Sequence, residues 1–330
     1  MGKYTVVVLE YLPVDMQLEK GLLKEVDADL VLCHDNYNED TIIEYVKNAD
    51  AIVTDAIPIT KRILEAAKKC KVLVQAGIGV DNIDIKTATK RGIKIANAPH
   101  ASTDDVADHT MALALSLQRK INLLDNRVKN GEWKQLMWGF EISMPIYRLK
   151  GRIFGLFGLG NIGRNVAKRA LGFGCKVISY DPYVSKEAMR NYGVEPVDFS
   201  TLLTKSDYIS IHAPATESTF HIFNKKTISK MKKTAFLINT ARGTIIDSEA
   251  LYTSLKLGTI AGAGIDVWEK EPPEQNEPLF KLDNIICTPH IAGISEDYVI
   301  DIRKETFNQV VSVLKGSDPD NWINRREMKG

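Results

Sequence analysis

Arg242, Glu271 and His290 carry the reactive side chains that stand out in this 330-residue chain. They occur in the runs Thr240-Ala241-Arg242-Gly243, Glu269-Lys270-Glu271-Pro272-Pro273 and Thr288-Pro289-His290-Ile291-Ala292-Gly293. Each run follows a short apolar segment with strand character, so the three side chains reach one edge of any sheet built from those segments. An imidazole exchanges protons near neutral pH, a guanidinium forks onto a carboxylate, and a carboxylate beside an imidazole favours its charged form. Taken singly, each has a plainer role: His290 as a surface histidine before a helix, Arg242 as a loop cation, Glu271 as one solvated charge beside Glu269, Lys270 and Glu274. A motif upstream reverses that balance.

The upstream run is Gly158-Leu159-Gly160-Asn161-Ile162-Gly163, preceded by the strand-like Ile153 to Phe157 and followed by a helical pattern. In that context G-x-G-x-x-G reads as a dinucleotide loop. Gly158 permits the tight turn, Gly160 lets backbone approach a pyrophosphate, Gly163 lets helix and strand pack, and Asn161 and Ile162 offer amides to the anion. Eighteen residues beyond Gly163 the next strand ends in Tyr180-Asp181-Pro182, which places a carboxylate where an adenosine ribose lies. Asp181 is expected to select NAD, since a 2′-phosphate is repelled there and Pro182, Tyr183 and Val184 supply no cation. His212-Ala213-Pro214 and Asn239-Thr240-Ala241 each end a strand and are expected to line the adenine and nicotinamide pockets, although Pro214 alone reads as a strand terminator. With a hydride acceptor in place, His290, Arg242 and Glu271 are the parts needed to oxidise an alcohol beside a carboxylate: a base for the hydroxyl proton and a cation for the carboxylate.

The elements that position these groups are legible as β-branched runs separated by segments with helical spacing. The first series is Val6 to Leu9, Leu30 to Leu32, Ala51 to Val53, Val72 to Val74 and Ile93 to Ile95. The second is Ile153 to Phe157, Val177 to Tyr180, Tyr208 to Ile211, Ala235 to Ile238, Ala261 to Ile265 and Ile285 to Cys287. Such alternation predicts an α/β protein with two doubly wound parallel sheets. The predicted domains are a flavodoxin-like substrate domain over 1–98 plus 291–330 and a Rossmann nucleotide domain over 99–290. A helix starting at Ser102 or Thr103 leads into the second domain, and a helix over Ser295 to Leu314 returns the C-terminus to the first. The run Gly131 to Gly139, with Trp133 and Trp138, reads as an arm packed on its own domain or on another subunit.

Composition narrows the partners. Lys plus Arg (43) nearly cancels Asp plus Glu (42), so neither nucleic acid nor an anionic membrane is indicated. Cys33, Cys70, Cys175 and Cys287 are widely spaced, which suits a reducing, cytoplasmic setting and offers neither a disulfide framework nor a metal site. The apolar run after Lys3 is too short for a leader or a membrane span and reads as the first strand, and Val6 breaks the myristoylation pattern.

The order of motifs, closing with Gly264-Ile265-Asp266-Val267-Trp268-Glu269-Lys270-Glu271-Pro272-Pro273 and Thr288-Pro289-His290, resembles the D-isomer-specific 2-hydroxyacid dehydrogenases over most of the chain. The run Ala76-Gly77-Ile78-Gly79-Val80 is similar to that family's substrate loop, which implies that the amides of Ile78 and Gly79 bind the substrate carboxylate. The resemblance implies His290 as the acid/base, Glu271 as its partner, and Arg242 as the group that holds the carboxylate and polarises the carbonyl. Arg242 and His290 then face cofactor and substrate alike. It further implies Asp266 on the nicotinamide side, Thr219 and Val106 in lesser contact with NAD, a homodimer using the Trp133 to Trp138 arm, and a water-excluding cleft between the domains.

Substrate choice is narrowed by the same comparison. Formate dehydrogenases carry Gln at the Glu271 position. Phosphoglycerate dehydrogenases place arginine in the loop after the third strand, whereas Val53-Thr54-Asp55-Ala56-Ile57-Pro58-Ile59-Thr60 has no cation before Lys61 and Arg62, and no regulatory domain is expected after residue 330. The expected substrate is therefore a short 2-keto or 2-hydroxy acid, with 3-phosphoglycerate as the alternative. Thr103 to Thr110 and Pro145 to Gly151 are similar to the C-terminal-binding-protein branch, some of whose members are NAD-sensing corepressors. Gly293 departs from the aromatic of that branch, and no long disordered tail is evident.

Overall fold

A computed structural model describes residues 2–10, 15–34, 38–133 and 145–329. The chain divides into two compact units, Met1–Ser102 with Ser295–Gly330, and Thr103–Ile294. In the first, β1 (Tyr4–Val8), β2 (Ala28–Leu32), β3 (Ala51–Thr54), β4 (Val72–Gln75) and β5 (Lys94–Asn97) form a parallel sheet in the order β2-β1-β3-β4-β5. These strands are apolar almost throughout because both faces are covered. On one face Val6, Val8, Val53 and Val74 pack with Leu23 and with Val310, Val311 and Leu314 of the Glu296–Leu314 helix. On the other, Val7, Ile52, Leu73 and Ile95 pack with Ile42, Val46, Ile63, Leu64 and Ala88. The buried carboxylate of Glu19 is held by the Arg303 guanidinium, which fastens the N-terminal helix Gln17–Leu23 to the C-terminal one. The strand order reverses between β1 and β3, the position at whose carboxyl edge sheets of this order bind ligands.

In the second unit β6 (Ile153–Phe157), β7 (Lys176–Tyr180), β8 (Glu195–Pro196), β9 (Tyr208–Ile211), β10 (Phe236–Asn239), β11 (Gly262–Ile265) and β12 (Ile285–Cys287) make a parallel sheet. Its order is β12-β11-β10-β9-β6-β7-β8, the Rossmann arrangement, with its reversal between β6 and β9. The Thr103–Arg119 helix lies against the Asn161–Gly172 helix through Ala107, Met111 and Ala114 on one side and Val166, Ala167 and Ala170 on the other. Arg169 bonds Asp104 and Asp108 across that contact. Because every strand is parallel, the loops after β6, β7, β9, β10, β11 and β12 emerge at one edge. That edge carries the motifs.

Candidate active site

The glycine loop leaves β6 at Gly158, whose φ of 100° excludes most side chains. A Cβ there lies 2.8 Å from the His212 carbonyl carbon, and one at Gly163 lies 2.5 Å from the Gly158 oxygen. At Gly160 a Cβ meets nothing within 4 Å. Two glycines are thus demanded by the protein's own packing, while the third faces open space, as expected where a ligand and not the chain sets the limit. Gly160 is the N-cap of the Asn161–Gly172 helix and adds no side-chain cap, so the helix N-terminus suits a diphosphate. Asp181, at the end of β7, accepts the Leu159 amide at 2.8 Å and the Tyr183 amide at 2.8 Å, fixing its carboxylate against the glycine loop. This donor set fits a dinucleotide.

After β9, the His212 amide donates to the Phe157 carbonyl at 2.8 Å, and its Nε2 lies 2.8 Å from Ser210 Oγ. Burial pushes the His212 imidazole down to about 3, so it is neutral wherever the protein works. The Thr219 hydroxyl donates to the Pro214 carbonyl at 2.8 Å and accepts the Thr216 amide at 2.8 Å, closing its own loop. Val106 is buried on the Thr103–Arg119 helix, and Thr240 is tied to Thr110 at 3.0 Å between hydroxyls.

The turn after β10 owes its shape to Asn239, which sequence reasoning treated only as a motif residue. Its Nδ2 donates to the Arg242 carbonyl at 2.9 Å, and its Oδ1 accepts the Ala241 amide at 3.0 Å. Arg242 donates from Nη1 to the Ala241 carbonyl at 2.7 Å. The next residue, Gly243, touches the chain so closely that a Cβ on it falls 1.9 Å from the Trp268 carbonyl carbon. The turn carrying Arg242 and the segment carrying Glu271 are therefore packed backbone to backbone.

Glu271 and His290 meet directly. Glu271 Oε1 accepts the Trp268 amide at 2.9 Å, and Oε2 lies 2.6 Å from His290 Nδ1. With Nδ1 donating to Glu271, proton exchange at His290 falls to Nε2, and the half-exposed side chain leaves that edge accessible. His290 holds a left-handed backbone, φ 54°, in a loop clasped by Asp266. The fully buried Asp266 carboxylate accepts the Thr288 hydroxyl at 2.5 Å and the amides of Ile291 and Ala292 at 3.0 and 2.9 Å, while its carbonyl accepts the His290 amide at 2.8 Å. Thr288, its proton given to Asp266, accepts from His109 Nε2 at 3.1 Å. Asp266 thus acts first on the loop of His290, a role that no local sequence signal discloses. A cavity of about 420 Å³, walled by Trp268, Phe280 and Pro289, borders the His290–Glu271 pair. The neighbouring Glu269 is not simply solvated, for it is bonded to His221 and accepts the Ser248 amide at 3.0 Å.

Ile78 and Gly79 belong to the first unit, in the loop after β4. Among the described residues the amides of Gly77, Ile78, Gly79 and Val80 donate to no protein acceptor, while Asn97 Nδ2 holds the Ile78 carbonyl at 2.7 Å. Residues 134–144, the greater part of the tryptophan arm including Trp138, lie outside the described residues. Trp133 itself is exposed.

Residues 111–292 match the family described as "D-isomer specific 2-hydroxyacid dehydrogenase, NAD binding domain". The chain is 39% identical to a glyoxylate reductase of Korarchaeum cryptofilum over 94% of both chains. It is also 39% identical to a D-3-phosphoglycerate dehydrogenase of Archaeoglobus fulgidus, covering 94% of this chain and 57% of that one. Among solved structures, a glyoxylate reductase from Paecilomyes thermophila superimposes with a TM-score of 0.88 at 26% identity, covering 99% of this chain and 100% of the other.

Proposed function

The chain belongs to the D-isomer-specific 2-hydroxyacid dehydrogenases, and from that premise we propose that it reduces a short 2-keto acid such as glyoxylate with NADH, His290 delivering the proton. It is a nicotinamide-dependent oxidoreductase of 2-hydroxy and 2-keto acids. The bond between His290 and Glu271 carries the finer reading, because it fixes which imidazole nitrogen is left for the substrate. The bound nicotinamide supplies the hydride. Gly158, Gly160, Asn161, Ile162 and Gly163 receive its diphosphate side, and Asp181 receives the ribose. His212, Ala213, Pro214, Thr240, Ala241 and Asp266 line the rest of its site, with Val106 and Thr219 at the margin. The amides of Ile78 and Gly79 take the substrate carboxylate, Arg242 forks onto that carboxylate and polarises the adjacent carbonyl, and His290 Nε2 gives its proton to the carbonyl oxygen as the carbon is reduced. Glu271 orients the imidazole throughout by accepting its Nδ1–H.

A panel of 2-keto acids, assayed with NADH and with NADPH, tests this directly. Glyoxylate, hydroxypyruvate or pyruvate turns over with NADH, and NADPH is at least about tenfold poorer in kcat/KM because its 2′-phosphate meets the Asp181 carboxylate. Protein that binds NADH but reduces no member of the panel is a sensor and not this enzyme. Equal use of both cofactors removes Asp181 from the ribose site.

The assembly proposed is a homodimer through the nucleotide-binding units, and sedimentation equilibrium at micromolar protein returns twice the 36.8 kDa chain mass. A single-chain mass overturns it. A reducing, cytoplasmic setting accords with four free cysteines, three of them buried. Among the described residues no helix is long and apolar enough to cross a membrane.

A further inference from the structure

The first unit holds two clusters of backbone amides at the carboxyl edge of its sheet, and the protein treats them in opposite ways. The loop after β4 leaves the amides of Gly77 to Val80 without an acceptor among the described residues. The loop after β3 turns the amides of Asp55, Ala56 and Ile57 onto one oxygen, Glu10 Oε2, at 3.0, 2.6 and 2.8 Å. Three amides converging on one point make an anion seat. It lies where β1 and β3 part, the position at which sheets of this order bind ligands, and Glu10, two residues past β1, already sits in it.

The two clusters are neighbours. Gln75 Nε2 donates to the Asp55 carbonyl at 2.6 Å, and Asn82 Nδ2 donates to the Asp55 and Ile57 carbonyls at 3.0 and 2.9 Å. Those bonds tie the occupied loop to both ends of the loop holding the unfilled amides. Polar atoms also lie at the strand ends: Thr54 Oγ1 and Gln75 Oε1 are buried with no hydrogen-bond partner among the described residues. Glu10 forms no ion pair among the described residues, and the Asp55 side chain adds a second negative charge at the same turn. A molecule whose carboxylate rests on the Ile78 and Gly79 amides therefore meets a seat already filled by the Glu10 carboxylate.

We infer that Glu10 is a specificity-determining residue: its carboxylate occupies the seat that would take a second anionic group of the substrate, confining the enzyme to 2-keto acids whose tail is uncharged. The inference rests on the 2-keto acid reading and on the placement of the substrate carboxylate at Ile78 and Gly79. A tail bearing a carboxylate or a phosphate must either displace Glu10 from three amides or lie beside its charge, and both weaken binding. Electrostatic exclusion of this kind acts on the competitor's KM more than on turnover of a substrate already seated.

Glu10→Ala and Glu10→Gln separate the charge from the bulk. The parent and both variants are assayed with NADH against glyoxylate, oxaloacetate, 2-oxoglutarate and phosphohydroxypyruvate. The expected result is that Glu10→Ala raises the ratio of kcat/KM for at least one doubly charged substrate over glyoxylate by roughly tenfold or more, through KM, with a smaller rise in Glu10→Gln. A ratio unchanged in both variants, with all substrates losing alike, makes Glu10 a loop fastener and overturns the inference. Inorganic phosphate gives a readout independent of turnover. It raises the melting temperature of Glu10→Ala more steeply with concentration than that of the parent, whose other anion sites are common to both, whereas equal responses count against the seat. If the parent reduces no 2-keto acid, the enzymatic reading falls while the phosphate result still decides whether Glu10 fills an anion seat. Should Glu10→Ala fail to fold, Glu10→Gln carries the substrate comparison.

Discussion

His290→Ala lowers kcat for 2-keto acid reduction about a thousandfold, within the span that positioned general acids supply, or roughly 4 kcal/mol of barrier. NADH affinity stays within a few-fold of the parent, because β12, which leads to His290, stands four strand positions from β6, roughly 19 Å at ordinary strand spacing. Titrating NADH fluorescence beside single-turnover kinetics measures both quantities on one preparation. Glu271→Gln is expected to lose roughly tenfold to a hundredfold, the range seen when a group that orients another is altered. Its amide has one acceptor oxygen where the carboxylate has two, and both Trp268 N–H and His290 Nδ1–H need an acceptor. The left-handed backbone at residue 290 adds a stability arm. Glycine adopts that conformation without the strain a Cβ brings, so His290→Gly is expected to unfold no earlier than the parent while losing turnover as completely as the alanine variant. Turnover of His290→Ala within tenfold of the parent would move the acid/base role to another residue.

The ease with which the site is read from the chain depends on where each residue's partners lie. Parallel strands buried on both faces are written as apolar runs, and Tyr208–Ile211 and Ile285–Cys287 fall where the runs do. The strand expected at Ile93 to Ile95 instead spans Lys94–Asn97, since pairing with β4 continues through Asn97, a polar residue that a search for apolar runs passes over. The two-residue edge strand Glu195–Pro196 carries no apolar signal. Gly158 and Gly163 are recognisable because what they accommodate is local to one turn and one helix. Asp266 also accepts from Thr288, Ile291 and Ala292, more than twenty residues on, and no spacing within its own motif announces those partners. The partners of Glu10 lie farther still, 45 to 47 residues along the chain, and only the sheet order brings them together. Spacing within a motif reports strand ends and turns. It says nothing of which distant amide a carboxylate will meet.

Gly243 is the sharpest case of a residue fixed by distant contact, and Gly243→Ala is expected to disable the enzyme from a position that touches no substrate. Its φ is outside the left-handed range, so glycine is there for space. An added Cβ lies 1.9 Å from the Trp268 carbonyl carbon, 2.0 Å from its oxygen and 2.4 Å from the Glu269 nitrogen, all of them backbone atoms with no rotamer to escape into. Restoring an ordinary 3.4 Å contact needs a shift of 3.4 minus 1.9, or 1.5 Å, in one segment or the other. Movement of the Arg242 turn breaks the bonds from Asn239, and movement of Trp268 to Glu271 draws Glu271 away from His290. Overpacking of this kind destabilises by about 1–3 kcal/mol, whereas a displacement of roughly 1 Å among reacting groups lowers turnover about a hundredfold. The enzyme is therefore expected to remain folded and to bind NADH, with kcat falling far more than the melting temperature indicates. Gly160→Ala provides the opposite signature, since its Cβ meets nothing within 4 Å: stability stays at the parent's level and NADH binding is lost, because the methyl enters space that only the dinucleotide needs. A Gly243→Ala enzyme with parental kcat would mean that the two backbone segments part without disturbing Arg242 or the His290–Glu271 pair, and the rigid packing of turn against segment would then have no part in catalysis.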